Sequence, residues 1–341
     1  MKIKSLVRKN IAALAPYSTA RDEYSGGELG VFLDANENPY DNGYNRYPDP
    51  HQLRLKSVIS KIKNVDTKNI FIGNGSDEPI DLVYRIFCEP GVHNVVSIAP
   101  TYGMYRVCAD INNVEMREVP LTEDFGLDCK GLLDACDKNT RMMFLCSPNN
   151  PTGNLLDADQ MVYLICNFDG IVVIDEAYID FSSCNGFVPH LEQFPNVIVL
   201  QTLSKAWGMA GLRLGLAFAS EYIVGLMSKV KYPYNINVVT QKLVEERLGV
   251  CVEGSIKEII SQRGLVVDQL SQIEIVRHIY HSDSNFLLVR FDEPKKVYDV
   301  LVESGIIVRD RSKVKGCEGC LRITIGTPEE NEKLINIIKG L

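Results

Sequence analysis

Lys205 stands in Thr202-Leu203-Ser204-Lys205, just past the apolar run Val197-Ile198-Val199-Leu200, and Arg213 follows eight residues later. A primary amine attacks aldehydes once it is partly deprotonated, so a lysine closing a buried strand is a candidate for Schiff-base chemistry. Asp175 ends a second apolar run, Ile171-Val172-Val173-Ile174, where an uncompensated charge would be costly to bury. A cationic ring nitrogen would compensate it. Tyr178 lies three residues on, and Asn150 sits in Ser147-Pro148-Asn149-Asn150-Pro151-Thr152-Gly153; both could donate to a phenolate oxygen. Asn-Gly-Ser-Asp-Glu at 74–78 follows Ile70-Phe71-Ile72 and opens a helix whose free amides suit a phosphate, with Ser76, Asp77 and Glu78 contributing. Thr202, Ser204 and Arg213 would add hydroxyls and a guanidinium to the same anion. Tyr102, in the turn after Val95-Val96-Ser97-Ile98, can stack on a flat ring. These are the supports that a pyridoxal phosphate enzyme needs: a lysine, a carboxylate for the ring nitrogen, donors for the phenolate oxygen, a phosphate cradle and a stacked ring.

Singly, each piece has an ordinary explanation. Asn-Pro-Thr-Gly is a good turn in any protein, and Ser-Asp-Glu is usually a helix cap. Lys205 alone would be a solvated loop lysine, Arg213 half of a surface ion pair, and Tyr102 or Tyr178 a packed aromatic with a wet hydroxyl. Coincidence shifts the balance, because all of them fall beyond the carboxyl ends of strands in one region, where open parallel sheets place their ligands.

The elements that must position these residues are legible in outline. Val95-Val96-Ser97-Ile98, Met142-Met143-Phe144-Leu145, Ile171 to Ile174, Val197 to Leu200 and Leu214-Gly215-Leu216-Ala217-Phe218 are each about a strand long and apolar on both faces. Such strands belong in a covered, mostly parallel sheet. Helical patterns alternate with them, as in DADQMVYLICNF at 157–168, whose acidic start suits a helix N-terminus. The fold class is therefore α/β, a large domain with a mostly parallel sheet covered by helices. The last quarter changes character: Phe286-Leu287-Leu288-Val289, a helix near 294–304, Ile306-Ile307-Val308, Leu321-Arg322-Ile323-Thr324-Ile325, and a closing helix that opens on Thr327-Pro328-Glu329-Glu330. That opening has capping-box spacing with proline at the first helical position. A smaller α+β domain is expected there, packed closely on the first because no flexible linker intervenes.

Composition narrows the function. With 341 residues, 45% of them apolar and 23% charged, the chain can bury a sizeable core as a globular protein. Forty-four acidic residues against 36 basic leave a net charge of −8, spread without runs, which points away from nucleic acid or an anionic membrane and toward small-molecule partners. No stretch approaches the roughly 18 apolar residues of a spanning helix. The start, MKIKSLVRKNIAALAPYS, lacks a signal peptide's apolar core and cleavage site, so a cytoplasmic location is expected. The ten cysteines are scattered, several in apolar contexts, and read as small hydrophobes. Cys317 and Cys320 have CxxC spacing but neither a second pair nor a nearby histidine, and His278 with His281 is similarly isolated; no metal site is expected.

The order NGSDE, TY, SPNNPTG, VIDEAY, TLSKAWGMAGLRLG and LRITIGT resembles the fold type I pyridoxal phosphate aminotransferases. VRKNIAALAPYSTAR, LDANENPY, NRYPDP and VRD resemble most closely the histidinol-phosphate aminotransferase family, over nearly the whole chain. Departures are mild: Asp34 where asparagine is commoner, Trp207 where phenylalanine is usual, and Pro79 after the Ser-Asp-Glu cap. The resemblance implies pyridoxal 5'-phosphate on Lys205, with Asp175 keeping its ring an electron sink and Tyr178 beside it. It implies an N-terminal segment, 1–44, joining the small domain, a cofactor-binding domain at 45–245 and a small domain at 246–341. It also implies a homodimer with shared sites, Tyr47 reaching the neighbouring subunit's cofactor phosphate. Arg322 and Arg309 would bind the anionic end of the substrate, with Asn38 or Tyr40 lining the pocket. The implied reaction moves an amino group from L-glutamate to imidazole acetol phosphate, giving 2-oxoglutarate and L-histidinol phosphate in a reversible ping-pong sequence.

From the residues alone, an ion pair with Asp310 or a nearby acid serves Arg309 equally well. Arg322 inside the apolar strand LRITI needs an anionic partner more strongly. The same fold would also serve an aromatic amino acid aminotransferase, a decarboxylase of threonine phosphate or a C–S lyase. A cofactor-binding regulator is disfavoured, since no helix-turn-helix segment or basic stretch is attached.

Overall fold

A computed structural model describes residues 3–19 and 31–341. Its larger sheet has seven strands: β1 (Ile70–Asn74), β2 (Asn94–Ala99), β3 (Glu115–Pro120), β4 (Thr140–Cys146), β5 (Ile171–Asp175), β6 (Val197–Thr202) and β7 (Leu214–Ala219), in the order β1-β7-β6-β5-β4-β2-β3. The pairs from β6 through β3 are parallel, while β7 runs antiparallel to both β6 and β1. Two antiparallel steps bring β1 back parallel to β6. The carboxyl ends of β1, β2, β4, β5 and β6 and the amino end of β7 consequently share one edge of the sheet.

Both faces of this sheet are buried, as the continuous apolar strands require. Met143, Leu145, Val172 and Ile174 join one core cluster and Met142, Phe144, Ile171 and Val173 the other, following the period of two along each strand. The polar alternation of β3, buried at Met116 and Val119 but open between, marks an edge strand that lacks the apolar-run signature.

Helices cover the sheet in chain order: α1 (Lys9–Ala13), α2 (Leu53–Lys63), α3 (Asp77–Phe87), α4 (Met104–Ile111), α5 (Cys129–Asp134), α6 (Ala158–Asn167) and α7 (Glu221–Val230). The acidic start expected for α6 is there, Asp157 accepting the Gln160 amide at 2.8 Å. Residues 3–13 lie on this larger layer, although 1–44 is expected to join the smaller domain. Leu6, Val7 and Ile11 are buried in the core cluster of α3 and α7, and the Arg8 amide donates to the Ile86 carbonyl at 2.9 Å. Their apolar side chains find cover there.

After α8 (Val238–Leu248), which spans the expected boundary at 245, and α9 (Glu253–Leu270), the chain builds a second, antiparallel sheet. Its strands are β8 (Val276–Ile279), β9 (Phe286–Phe291), β10 (Arg309–Asp310) and β11 (Cys320–Thr324), ordered β10-β11-β9-β8. Helices α10 (Pro294–Glu303) and α11 (Pro328–Lys339) complete a core with α9. The capping box at Thr327 and Glu330 is present, with Pro328 in the first turn of α11. The run Ile306-Ile307-Val308 is not a strand; pairing begins at Arg309. The two units meet tightly: Tyr178, Phe181 and Ala206 pack with Phe286, and the Asp283 amide donates to the Gly153 carbonyl at 2.8 Å.

Candidate active site

Lys205 lies in the connection between β6 and the antiparallel β7, which returns across the sheet edge already carrying Asp175 and Asn150. A cavity at this edge is lined by Ser76, Asp77, Tyr102, Asn150, Asp175, Tyr178, Thr202, Ser204, Lys205 and Arg213. Five connections, those after β1, β2, β4, β5 and β6, thus deliver the residues expected from their strand-end positions.

Asp175 is 3% exposed. Its Oδ1 accepts the Ala177 amide at 3.1 Å and its Oδ2 the Tyr105 hydroxyl at 2.6 Å. Burial pushes its carboxyl up to about 6, against the pull of those two hydrogen bonds. No lysine, arginine or histidine among the described residues pairs with it. A buried carboxylate with spare acceptor capacity and no ion-pair partner among the described residues fits the cationic ring nitrogen of pyridoxal phosphate.

Lys205 opens onto the cavity, yet the surrounding protein strips solvent from its amine; this desolvation, then the charges of Arg322 and Arg213, lower its pKa. The amine sits 5.7 Å from the centre of the Tyr178 ring. Tyr178 is buried, and desolvation raises its hydroxyl's pKa, keeping it a proton donor.

Next to them, the start of α3 offers an anion cradle. The Ser76 side chain makes no capping bond, so the opening amides of this eleven-residue helix are left for another acceptor. Gly75 has φ +74, and a Cβ there would meet a guanidinium nitrogen of Arg213 at 2.5 Å. Arg213 itself lies 3.6 Å from Asp77, to which the Tyr102 hydroxyl donates at 3.1 Å. The Thr202 hydroxyl accepts the Ser204 amide at 3.1 Å, fixing the turn before the lysine. Glu78, by contrast, faces away from the cavity: its carboxylate accepts the Asn74 amide at 2.5 Å and the Asn235 side-chain amide at 3.1 Å. Its part is to brace the loop.

A second cavity of about 580 Å³ adjoins the first, sharing Tyr102, Asn150, Tyr178 and Lys205, and is lined by Arg309, Arg311 and Arg322. Arg309 and Arg322 are direct cross-strand partners on β10 and β11, so both side chains project from one face of the sheet. Arg322 donates to the side-chain carbonyl of Asn150, while its Nε is buried without a partner. None of the three guanidiniums ion-pairs with a described acid.

Tyr47, Asn38 and Tyr40 are not brought to either cavity of their own chain. Tyr47 is 52% exposed and stacks on Tyr234, ring centres 4.4 Å apart. The Asn38 side chain accepts the Tyr40 amide at 2.9 Å, and Tyr40 is exposed.

Three side chains that the sequence pattern does not single out also belong here: Tyr105, Cys146 and Arg311. Tyr105 falls one helical turn after Tyr102, and Arg311 two residues after Arg309, which are the spacings that share a face. Cys317 and Cys320 are both fully buried beside Phe125 and Leu288, with the Cys317 thiol pushed up to about 12 by burial. No group of three His, Cys, Asp or Glu side chains among the described residues could hold a metal ion.

A model of the family "Aminotransferase class I and II" matches residues 23–338. A histidinol-phosphate aminotransferase of Parabacteroides distasonis is 53% identical over 99% of both chains. The crystal structure of the histidinol-phosphate aminotransferase from Clostridium acetobutylicum superposes with a TM-score of 0.80, at 23% identity, covering 86% of this chain and 90% of that one. That of Sinorhizobium meliloti, in complex with pyridoxal-5'-phosphate, has a TM-score of 0.77 at 21% identity, covering 86% and 82%.

Proposed function

The chain belongs to the class I and II aminotransferases and, within them, to the histidinol-phosphate aminotransferases, and on that premise we propose that it exchanges an amino group between L-glutamate and imidazole acetol phosphate. The products are 2-oxoglutarate and L-histidinol phosphate. The observation that carries this reading is the meeting of Lys205 and the unpaired Asp175 in one cavity that opens directly onto Arg322 and Arg309.

When bound, pyridoxal phosphate supplies an aldehyde for the amino group and a ring that withdraws electrons from the bond being broken. Asp175 would hold the proton on its ring nitrogen, and Asn150 and Tyr178 would donate to its phenolate oxygen. The amides of Ser76 and Asp77, the hydroxyls of Thr202 and Ser204 and the Arg213 guanidinium would hold its phosphate, with the Tyr102 ring against its face. Lys205 is the base: desolvation, then the charges of Arg322 and Arg213, shift its amine toward the neutral form that can take the proton of the substrate's alpha carbon and return it elsewhere. Arg322 and Arg309 bind a carboxylate in one half-reaction and a phosphate in the other, a task that planar guanidinium forks suit.

The molecule works as a homodimer in the cytoplasm. Leu33, Tyr40 and Tyr44 are 86%, 81% and 71% exposed, an apolar surface of the kind that subunits cover, and Tyr47 would reach the partner's cofactor phosphate from this segment. No described helix is long and apolar enough to cross a membrane.

Steady-state assay with glutamate as donor tests the reaction. Imidazole acetol phosphate should be used with higher kcat/KM than phenylpyruvate, and threonine phosphate should not be decarboxylated. Preference for phenylpyruvate would make the protein an aromatic aminotransferase, and turnover of threonine phosphate would make it a decarboxylase.

A further inference from the structure

We propose that Tyr105 is a positioning residue that aims Asp175 at the cofactor's ring nitrogen and, through the same ring, sets the Tyr102 face against which the cofactor lies. The inference rests on the cofactor reading above and concerns a residue outside that set of direct contacts.

The Tyr105 hydroxyl, at 2.6 Å, is the side-chain donor to Asp175 Oδ2. With Oδ2 tied to α4 and Oδ1 to the Ala177 amide, the carboxylate cannot rotate without breaking a buried hydrogen bond, which is costly where water cannot replace it. The Tyr105 ring is itself held on several sides. It is fully buried, stacks on Phe144 at 4.8 Å and 21°, and Phe144 stacks on Tyr84 at 5.4 Å and 18°. The Tyr84 hydroxyl donates to the Tyr105 carbonyl at 2.9 Å. Tyr102 meets the Tyr105 ring edge-on at 5.6 Å and 86°. One packed side chain therefore touches both the Asp175 carboxylate and the Tyr102 ring.

The groups that set Asp175's charge come from every neighbouring element: Tyr105 on α4, Asp77 on α3, Cys146 ending β4, Glu176 next in the chain, Tyr178 after it, and Lys205 past β6. Burial raises the carboxyl's pKa, and the Tyr105 hydrogen bond is the largest influence holding it down. Without that bond the carboxylate form would be lost at a higher pH.

The test uses the holoenzyme and its Tyr105→Phe variant, with Thr140→Val as a control that removes a buried hydroxyl bonded to Asn94 at the opposite end of β4 and touches neither Tyr105 nor Asp175. In Tyr105→Phe, the cofactor dissociation constant, from titration of the visible band, should rise about tenfold. The acid limb of the kcat/KM profile should move up by about one pH unit. The KM for glutamate should change by less than about threefold, since Tyr105 is absent from the arginine cavity. Thr140→Val should leave the acid limb in place. Unchanged affinity and acid limb in Tyr105→Phe, or an equal shift in Thr140→Val, would overturn the proposal. Should Tyr105→Phe not fold, Phe144→Leu loosens the ring while keeping the hydroxyl, and an unmoved acid limb there would overturn it equally. A wild type that shows no cofactor band would instead sink the underlying reading.

Discussion

Burial moves both Asp175 and Lys205 toward their neutral forms, raising the carboxyl's pKa and lowering the amine's. The unfolded Asp175 carboxyl titrates near 4, the folded one near 6. Between those values the folded state binds the extra proton, so this group's contribution to stability is present below about pH 4 and is lost as pH rises through about 6. Asp175→Asn removes the charge and keeps the shape. It should therefore stabilise the cofactor-free protein at pH 8 by an amount on the order of 2 kcal/mol, while abolishing the advantage that cofactor brings. Thermal melts of the two apoproteins at pH 5 and pH 8 check this. A gap that fails to widen at the higher pH would mean the carboxylate already has a compensating charge.

The facing of β10 and β11 places two like charges in direct opposition, an arrangement that costs stability unless an anion sits between them. Strand β10 is two residues long and its arginine is exposed, lining the second cavity. Arg322 is more constrained, half-buried and braced on Asn150. Arg322→Lys keeps the charge but loses the fork, and should cost roughly 2 to 3 kcal/mol in kcat/KM for the phosphorylated substrate, with glutamate also impaired. Arg309→Gln should damage the phosphorylated substrate more than phenylpyruvate, whose ring offers no anion at that position. Equal losses on both substrates would assign Arg309 to packing rather than recognition.

At the scale of the whole molecule, the Tyr47 ring lies outside both cavities of its own chain. Glu37 holds Arg46 at 2.7 Å and accepts the Tyr47 amide at 2.6 Å, so the segment is braced while the Tyr47 ring stays half exposed. Pro48 and Pro50 further restrict it. If the ring serves the partner, a Lys205→Ala chain and a Tyr47→Ala chain should complement each other, since a mixed symmetric dimer regains one intact site. Co-expressed, differently tagged chains give the measurement. Mixed dimers no more active than either parent would place Tyr47's work within its own subunit.

What the sequence determined by itself was chemistry and local form. Continuous apolar runs announce β2, β4, β5, β6 and β7, the Thr327 box announces α11, and a lysine, a carboxylate and a glycine-bearing turn at strand ends announce the cavity, because these signals depend only on neighbours in the chain. Tertiary structure alone decided what depends on long-range return. Strand β7 runs antiparallel and so delivers Arg213 and the Lys205 loop to the edge where β5 ends. Glu78, in an unbroken motif, turned out to brace Asn74 and Asn235, a partner 157 residues away. Residues 3–13 went to the larger layer because that is where cover for Leu6, Val7 and Ile11 lies. The pairing of Tyr105 with Asp175 across 70 residues has no signature along the chain, since a buried hydroxyl finds its acceptor only after packing has removed the water that would otherwise serve both.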